Sequence, residues 1–199
     1  MPVAATALYK PGETAPVGSY QPGDFILTHG TAWTSKLIRF GSRLRYRGDN
    51  APYAKFSHSA LIVSANGDLI EAQERGVRRN NLRSYAEHTY VVVHPTLQVF
   101  GVTPPGNAVR DADRIARANA VGYVTHQLGD RYGYLTCVCI GFGLLTGGTL
   151  TFGFDGNQIC SGLVARAQER LGYEFPRNPA EIMPADLAWQ FGVQPLPEW

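Results

Sequence analysis

The stretch Asn157-Gln158-Ile159-Cys160-Ser161-Gly162-Leu163-Val164-Ala165-Arg166-Ala167 reads as a cysteine set in the first turn of a buried helix. Cys160, Leu163, Val164, Ala167 and Leu171 recur at i, i+3, i+4 and i+7, so one face turns inward, and Gly172 supplies a stop. Asp155 or Asn157 can cap the start. Unpaired N–H groups and the helix dipole favour an anion at that end, so a thiol there ionises more readily than a free cysteine. Cys160 is therefore a candidate nucleophile. The competing reading is a small buried hydrophobe, the commoner fate of a lone cysteine.

Upstream of that helix the chain is richer in strands. Pro22-Gly23-Asp24 is a turn that launches the apolar strand Phe25-Ile26-Leu27. Trp33, Leu37, Phe40 and Leu44 repeat at helical spacing, which predicts an amphipathic helix over Thr34 to Arg45. Phe56 to Val63 is a strand, Asn66-Gly67 a strong hairpin signal, and Asp68 to Ala72 the returning strand. Tyr90 to His94 is a further strand that stops at Pro95. Asn107 to Leu128 reads as a second helix, with Ile115, Val121, Val124 and Leu128 inward and Gly129 as its stop. Pro184-Ala185-Asp186-Leu187 starts a short terminal helix. Strands early, helices around them and no regular βαβ alternation predict an α+β fold with an antiparallel sheet.

The 199 residues are enough for one substantial core, so a single domain over 1–199 is expected, with 1–20 as an extended N-terminal segment. A hydrophobic content of 44% against 17% charged residues excludes a disordered chain. The net charge of +2 makes no case for a nucleic-acid partner. The clusters Arg39, Arg43, Arg45, Arg47 and Arg75, Arg78, Arg79, Arg83 read as solvated faces. Three cysteines cannot all pair within one molecule, and Cys137 and Cys139 stand too close for an easy bridge, so reduced thiols are expected. Cys137-x-Cys139 is also too tight for a usual zinc site, and no metal or cofactor is expected.

Met1 to Tyr20 has no apolar run after a basic start, so it does not read as a secretory signal peptide, and a cytoplasmic location is the default expectation. The apolar, glycine-rich segment 139–154 is shorter than the roughly 20 residues that span a bilayer. It reads as buried or cleft-lining, with contact to membrane or lipid as the other reading.

A cysteine nucleophile needs an imidazole beside it to hold the thiolate and later protonate the leaving group. Of the five histidines, His58 stands mid-strand in an apolar run, where an ionisable group is costly unless paired. The rival at that position is a core histidine bonded to backbone. His94, at a strand end before Pro95, is the other candidate; His29, His88 and His126 fall in loops or on exposed helix positions.

The succession Gly23-Asp24-Phe25-Ile26-Leu27, Ser57-His58-Ser59-Ala60-Leu61-Ile62-Val63, Gly67-Asp68-Leu69-Ile70-Glu71-Ala72 and Ile159-Cys160-Ser161-Gly162-Leu163-Val164 resembles the circularly permuted NlpC/P60 papain-like hydrolases, most of all their YiiX/YaeF-like branch. In the ordinary order of that family the Cys-Ser-Gly helix precedes the histidine strand; here His58 comes first. The resemblance spans roughly Gly23 to Leu187. It implies a half-barrel sheet packed on a nucleophile helix, Cys160 as nucleophile, His58 as general base and acid, and Glu71 as the residue that orients the imidazole. It further implies that Tyr132, in Arg131-Tyr132-Gly133-Tyr134, helps position the attacked carbonyl, although core packing is an equal reading of that tyrosine. The N–H of Cys160 would be the oxyanion donor.

The implied activity is cleavage of an amide bond, with a peptide or peptidoglycan fragment as substrate. Thioester, ester or lipid acyl chemistry of the related LRAT-like proteins is an alternative, weakened because Ile159-Cys160-Ser161-Gly162 lacks their asparagine-cysteine-glutamate start. A non-catalytic peptide-binding module is a third reading. Glu71 meets one geometric objection. A two-residue turn at Asn66-Gly67 sets Ile62 opposite Glu71 and leaves His58 four residues away, too far for a hydrogen bond at about 3.4 Å per residue. A bulge or a longer loop would shift the register, or Gln73 would take the role.

Overall fold

The computed structural model describes residues 4–30, 33–73, 75–98, 106–132, 157–197 and 199. The fold is α+β, built on a six-stranded antiparallel sheet: β1 (Ala5–Tyr9), β2 (Phe25–Thr28), β3 (His58–Ile62), β4 (Asp68–Gln73), β5 (Gly76–Asn81) and β6 (Tyr90–His94), in the order β1-β6-β2-β3-β4-β5. Helices α1 (Trp33–Arg45), α2 (Gly106–His126), α3 (Cys160–Gln168) and α4 (Pro184–Gln190) accompany it, with 3-10 turns at Gly48–Lys55 and Leu82–Tyr85. A short parallel pair, β7 (Arg131–Tyr132) and β8 (Asn157–Gln158), leads into α3.

Alternation along the strands divides the core in two. Phe25, Leu27, Leu61, Ile70, Val91 and Val93 face a cluster that includes Leu163, Val164 and Ala167 of α3. Ile26, Ala60, Ile62, Leu69, Tyr90 and Val92 face the other way, onto Tyr20, Leu82 and Tyr85. Both faces are covered, which is why these strands read as nearly continuous apolar runs.

Several expectations need correction. Within the N-terminal segment read as extended, Ala5–Tyr9 is a sheet strand that the sequence reading did not identify, pairing with β6 from Ala5↔His94 to Tyr9↔Tyr90 at one edge of the sheet. The inward face of α2 is Ala116, Arg117, Ala120 and Val124, whereas Ile115 is 56% exposed; small residues let α2 approach α3 closely. Phe40 is likewise 51% exposed on α1. Asn157 does not hold the N-cap position of α3. Ile159 holds the N-cap position without a side-chain bond, Asn157 belongs to β8, and Asp155 lies outside the described residues. At its other end the 3-10 turn Glu169–Leu171 stops at Gly172, whose φ of +84° favours glycine.

The hairpin between β3 and β4 turns on four residues rather than two. Val63 N–H bonds Asp68 O at 2.8 Å, Gly67 N–H bonds Ser64 O at 3.2 Å, and Ser64 Oγ donates to Asp68 Oδ2 at 2.7 Å. Ile62 thus faces Leu69, and Leu61 faces Ile70, a shift of two residues from the two-residue turn.

Polar contacts tie the sheet to the helices. Fully buried Asp24 accepts from Arg117 Nη1 of α2 at 2.9 Å and sits 2.7 Å from His94 Nδ1. Gln168 Nε2, at the end of α3, donates to Gly23 O at 3.0 Å. Among the described residues no helix is long and apolar enough to cross a membrane; segment 139–154, with Cys137, lies outside them.

Candidate active site

His58 opens β3, paired with Thr28 of β2. The register shift places Glu71 on the face His58 shares, two residues along from the position opposite it, within reach of a long side chain. His58 Nε2 and Glu71 Oε2 are 2.7 Å apart. Glu71 is fully buried, so its charge requires partners. It has three besides His58. Asn80 Nδ2, from β5, donates to Oε1 at 2.7 Å; Tyr85 donates its hydroxyl to Oε2 at 2.5 Å; and Arg78 Nε stands 4.0 Å from Oε1. Burial alone would raise this carboxyl, but His58, Tyr85 and Asn80 together hold it down at about 2. Gln73 is taken by Arg78 and does not replace Glu71.

The nucleophile candidate arrives from the opposite layer. Cys160 is the first residue of α3, a buried free thiol, and it hydrogen-bonds His58. Because Nε2 of His58 is given to Glu71, the nitrogen left for sulfur is Nδ1. How the two layers meet follows from a split in the sheet. Ile62 N–H points to Asp24 O beside β2, so by alternation the N–H of Ser59 points toward β4. The β3–β4 ladder, however, is restricted to Leu61↔Ile70 and Ile62↔Leu69. Below it the strands part, and Ser59 N–H is hydrogen-bonded by the Cys160 sulfur instead, as is the N–H of Ser161.

Burial disfavours the Cys160 thiolate, yet His58 and the two N–H donors outweigh it and the thiol lies below its ordinary value. His58 responds in the opposite sense: desolvation pushes it down, while the Cys160 thiolate and Glu71 carry it up to about 10. Both shifts favour the thiolate–imidazolium form of the pair over the neutral one. The first bond of α3 runs from Leu163 N–H to Ile159 O, so the N–H of Cys160 has no acceptor within the helix. It remains a donor at the sulfur's own residue.

Two features fix α3 against its surroundings. Ser161 Oγ donates to Ile182 O at 2.5 Å. At Gly162 an added Cβ would meet Pro179 O at 2.7 Å, which explains why a glycine follows Cys160-Ser161. The chain segment before α3 is held by β8, where Gln158 pairs with Tyr132 of β7 through the backbone, and β7 follows residues that lie along β5: Gly129 N–H bonds Val77 O at 3.0 Å. Tyr132 thus stands, by its backbone, beside the strand that delivers Cys160.

His94, the rival histidine, is occupied by Asp24; His29 Nδ1 is 2.8 Å from Lys55 O, with Arg39 Nη1 2.6 Å from its Nε2. The solvated-face reading of the arginines fails at Arg45, whose side chain is 10% exposed and paired with Asp186. Asn80, Tyr85 and the Ser59 N–H escaped the sequence reading. Only the tyrosine carried a signal, in that a buried phenol needs an acceptor.

No protein-family model matches this chain, and no curated protein is similar to it. The site therefore rests on its own geometry.

Proposed function

We propose that the protein is a cysteine hydrolase with the circularly permuted NlpC/P60 papain-like fold, cleaving an amide bond of a bacterial cell-wall peptide through an acyl-enzyme. The observation that carries this reading is the continuous chain of hydrogen bonds Cys160–His58–Glu71, with sulfur at a helix N-terminus. The order of the motifs, His58 before Cys160, favours the permuted family, and the cell-wall substrate is assigned by analogy with that family.

In the proposed reaction the Cys160 thiolate attacks the amide carbon, forming a C–S bond while the carbonyl π pair moves to oxygen. The N–H of Cys160 stabilises that oxyanion. Collapse of the intermediate breaks the C–N bond, and His58 gives its Nδ1 proton to the departing amine. His58, now neutral, takes a proton from water as the water attacks the thioester; the thiolate leaves and the imidazolium is restored. Glu71 keeps the Nε2–H oriented and balances the imidazolium charge, as the acidic member of a triad does. Tyr132 is assigned, by the same resemblance, to positioning the carbonyl.

A thiol-directed probe tests the first half of the proposal: it should label Cys160 in preference to Cys137 and Cys139, and lose that preference in His58→Ala. Equal labelling of all three cysteines in the folded protein would sink it. Purified peptidoglycan, compared with an acyl-lipid substrate and with Cys160→Ala as blank, tests the substrate class. Turnover of the lipid alone would replace the cell-wall assignment by lipid acyl chemistry.

A further inference from the structure

A second concave site lies away from Cys160, His58 and Glu71. It is a cleft of about 580 Å³ between the C-terminal end of α1, the Phe175–Arg177 stretch and α4. That volume falls within the roughly 300–1,000 Å³ typical of small-molecule sites. Its wall carries three guanidinium groups, those of Arg45, Arg47 and Arg177, and a single carboxylate, Asp186.

That carboxylate is already committed. Asp186 Oδ2 accepts from Arg45 Nη1 at 2.5 Å and from Met183 N–H at 2.7 Å, and Oδ1 accepts from Tyr46 O–H at 2.6 Å. Burial and Asp186 push the Tyr46 phenol up, so it stays a neutral donor, with the Arg177 charge close enough to oppose the shift. Arg45 and Asp186 cancel one another. Among the described residues Arg47 and Arg177 are in no ion pair, so two positive charges face the same concavity uncompensated. Like charges so placed repel, and an anion between them relieves the repulsion while accepting paired N–H donors. The rest of the lining that matters is flat and apolar: Trp189 and Phe175, both half-buried.

We propose that this cleft binds a small organic anion, its carboxylate or phosphate held by Arg47 and Arg177 and its planar ring lying against Trp189 and Phe175. The site is separate from the proposed hydrolase chemistry and does not depend on it.

Calorimetric titration of the full chain tests this with 1-naphthyl phosphate and 1-naphthoate, and with inorganic phosphate and 1-naphthol as fragment arms. One or both naphthyl anions should bind one to one with a Kd below about 1 mM, and each fragment at least about tenfold more weakly. The better of the two anions identifies phosphate or carboxylate as the recognised group. Affinity should fall as salt rises from about 0.05 to 0.5 M. Arg47→Glu and Arg177→Glu alter exposed side chains and should each weaken binding about tenfold or more, while Cys160→Ala binds as the parent does. Three results would overturn the proposal: no binding of either naphthyl anion up to about 5 mM, naphthol binding as tightly as the anions, or unchanged affinity in the Arg47→Glu/Arg177→Glu double variant.

Discussion

Removing the hydroxyl of Tyr85 separates two roles that Glu71 combines, charge and orientation. Tyr85→Phe deletes a 2.5 Å donor to Glu71 Oε2, the oxygen that also meets His58, and leaves Asn80 on Oε1. A hydrogen bond to a buried carboxylate contributes about 1.5–3 kcal/mol, which corresponds to a rise of roughly 1–2 in the Glu71 pKa. Starting from about 2, Glu71 then titrates at about 3–4, so it stays ionised at pH 7 and is up to about half protonated at pH 4. The loss at neutral pH should therefore be small, about threefold, since it reflects only a looser carboxylate. At pH 4 it should grow to as much as about sixfold, because in up to half of the molecules the imidazolium loses its counter-charge and the thiolate its support.

The rate of iodoacetamide alkylation of Cys160 reads thiolate formation without needing the natural substrate, so the ratio of variant to parent rates from pH 4 to 8 is the measurement. Glu71→Gln is the reference, impaired by about tenfold or more across that range because no pH restores its charge. A Tyr85→Phe ratio that stays flat with pH would refute the reasoning, as would a neutral-pH loss as large as that of Glu71→Gln. Thermal unfolding separates folding from chemistry: loss of about 2 kcal/mol in a chain of this size lowers Tm by roughly 4–8 °C, leaving the variant folded for the assay.

Other expected outcomes follow from the same contacts. Glu71 has a folded pKa depressed from 4.5 to about 2, so its contribution to stability is present above about pH 4.5 and is lost as pH falls through 2; Glu71→Gln should flatten that part of an acid denaturation profile. His58 is raised from 6.5 to about 10, so it should stay an imidazolium through neutral pH, and turnover, which needs that acid, should decline as pH passes 10 while alkylation of the thiolate does not. Gly162→Ala drives a methyl group to 2.7 Å from Pro179 O and should cost about 1–3 kcal/mol in urea unfolding, with Cys160 labelling reduced because the first turn of α3 shifts. Asp24→Ala leaves the buried Arg117 guanidinium with Asp113 as its one carboxylate among the described residues and takes away the partner of His94 Nδ1, and should cost about 1.5–3 kcal/mol by the same measurement.

Part of this site was legible because the sequence put chemically costly residues in apolar settings. His58 opens the apolar strand Ser59–Ile62, and Cys160 begins a helix whose inward face keeps its period through Leu171. Either observation has an ordinary alternative; the pair acquires meaning when a fold can bring a strand and a helix together. The sheet's two covered faces hid other features. Once both sides are buried, alternation vanishes from the sequence, and β1, whose pattern is mostly exposed, gives too little apolar signal to announce itself. Ile115 and Phe40 show the converse, since helical spacing identifies a period but not which of its apolar residues turns inward.

Glu71 marks the boundary between what spacing can and cannot supply. Asn66-Gly67 correctly located the hairpin, but the loop length was decided by Ser64, whose hydroxyl meets Asp68 Oδ2 and the N–H groups of Asn66 and Asp68. Those side-chain bonds favour the four-residue turn, and the resulting shift of two residues brings Glu71 to His58. The same shift bears on sulfur. His58 and Glu71 lie on one face of the sheet and the body of α3 on the other, so an intact β3–β4 ladder would have stood between them. A ladder that ends at Leu61↔Ile70 leaves the Ser59 N–H open to sulfur and lets His58 reach across. The unpaired edge of a strand is ordinarily a cost; here the anion that satisfies it is the proposed nucleophile, so the break in the sheet and the lowered thiol have one structural cause.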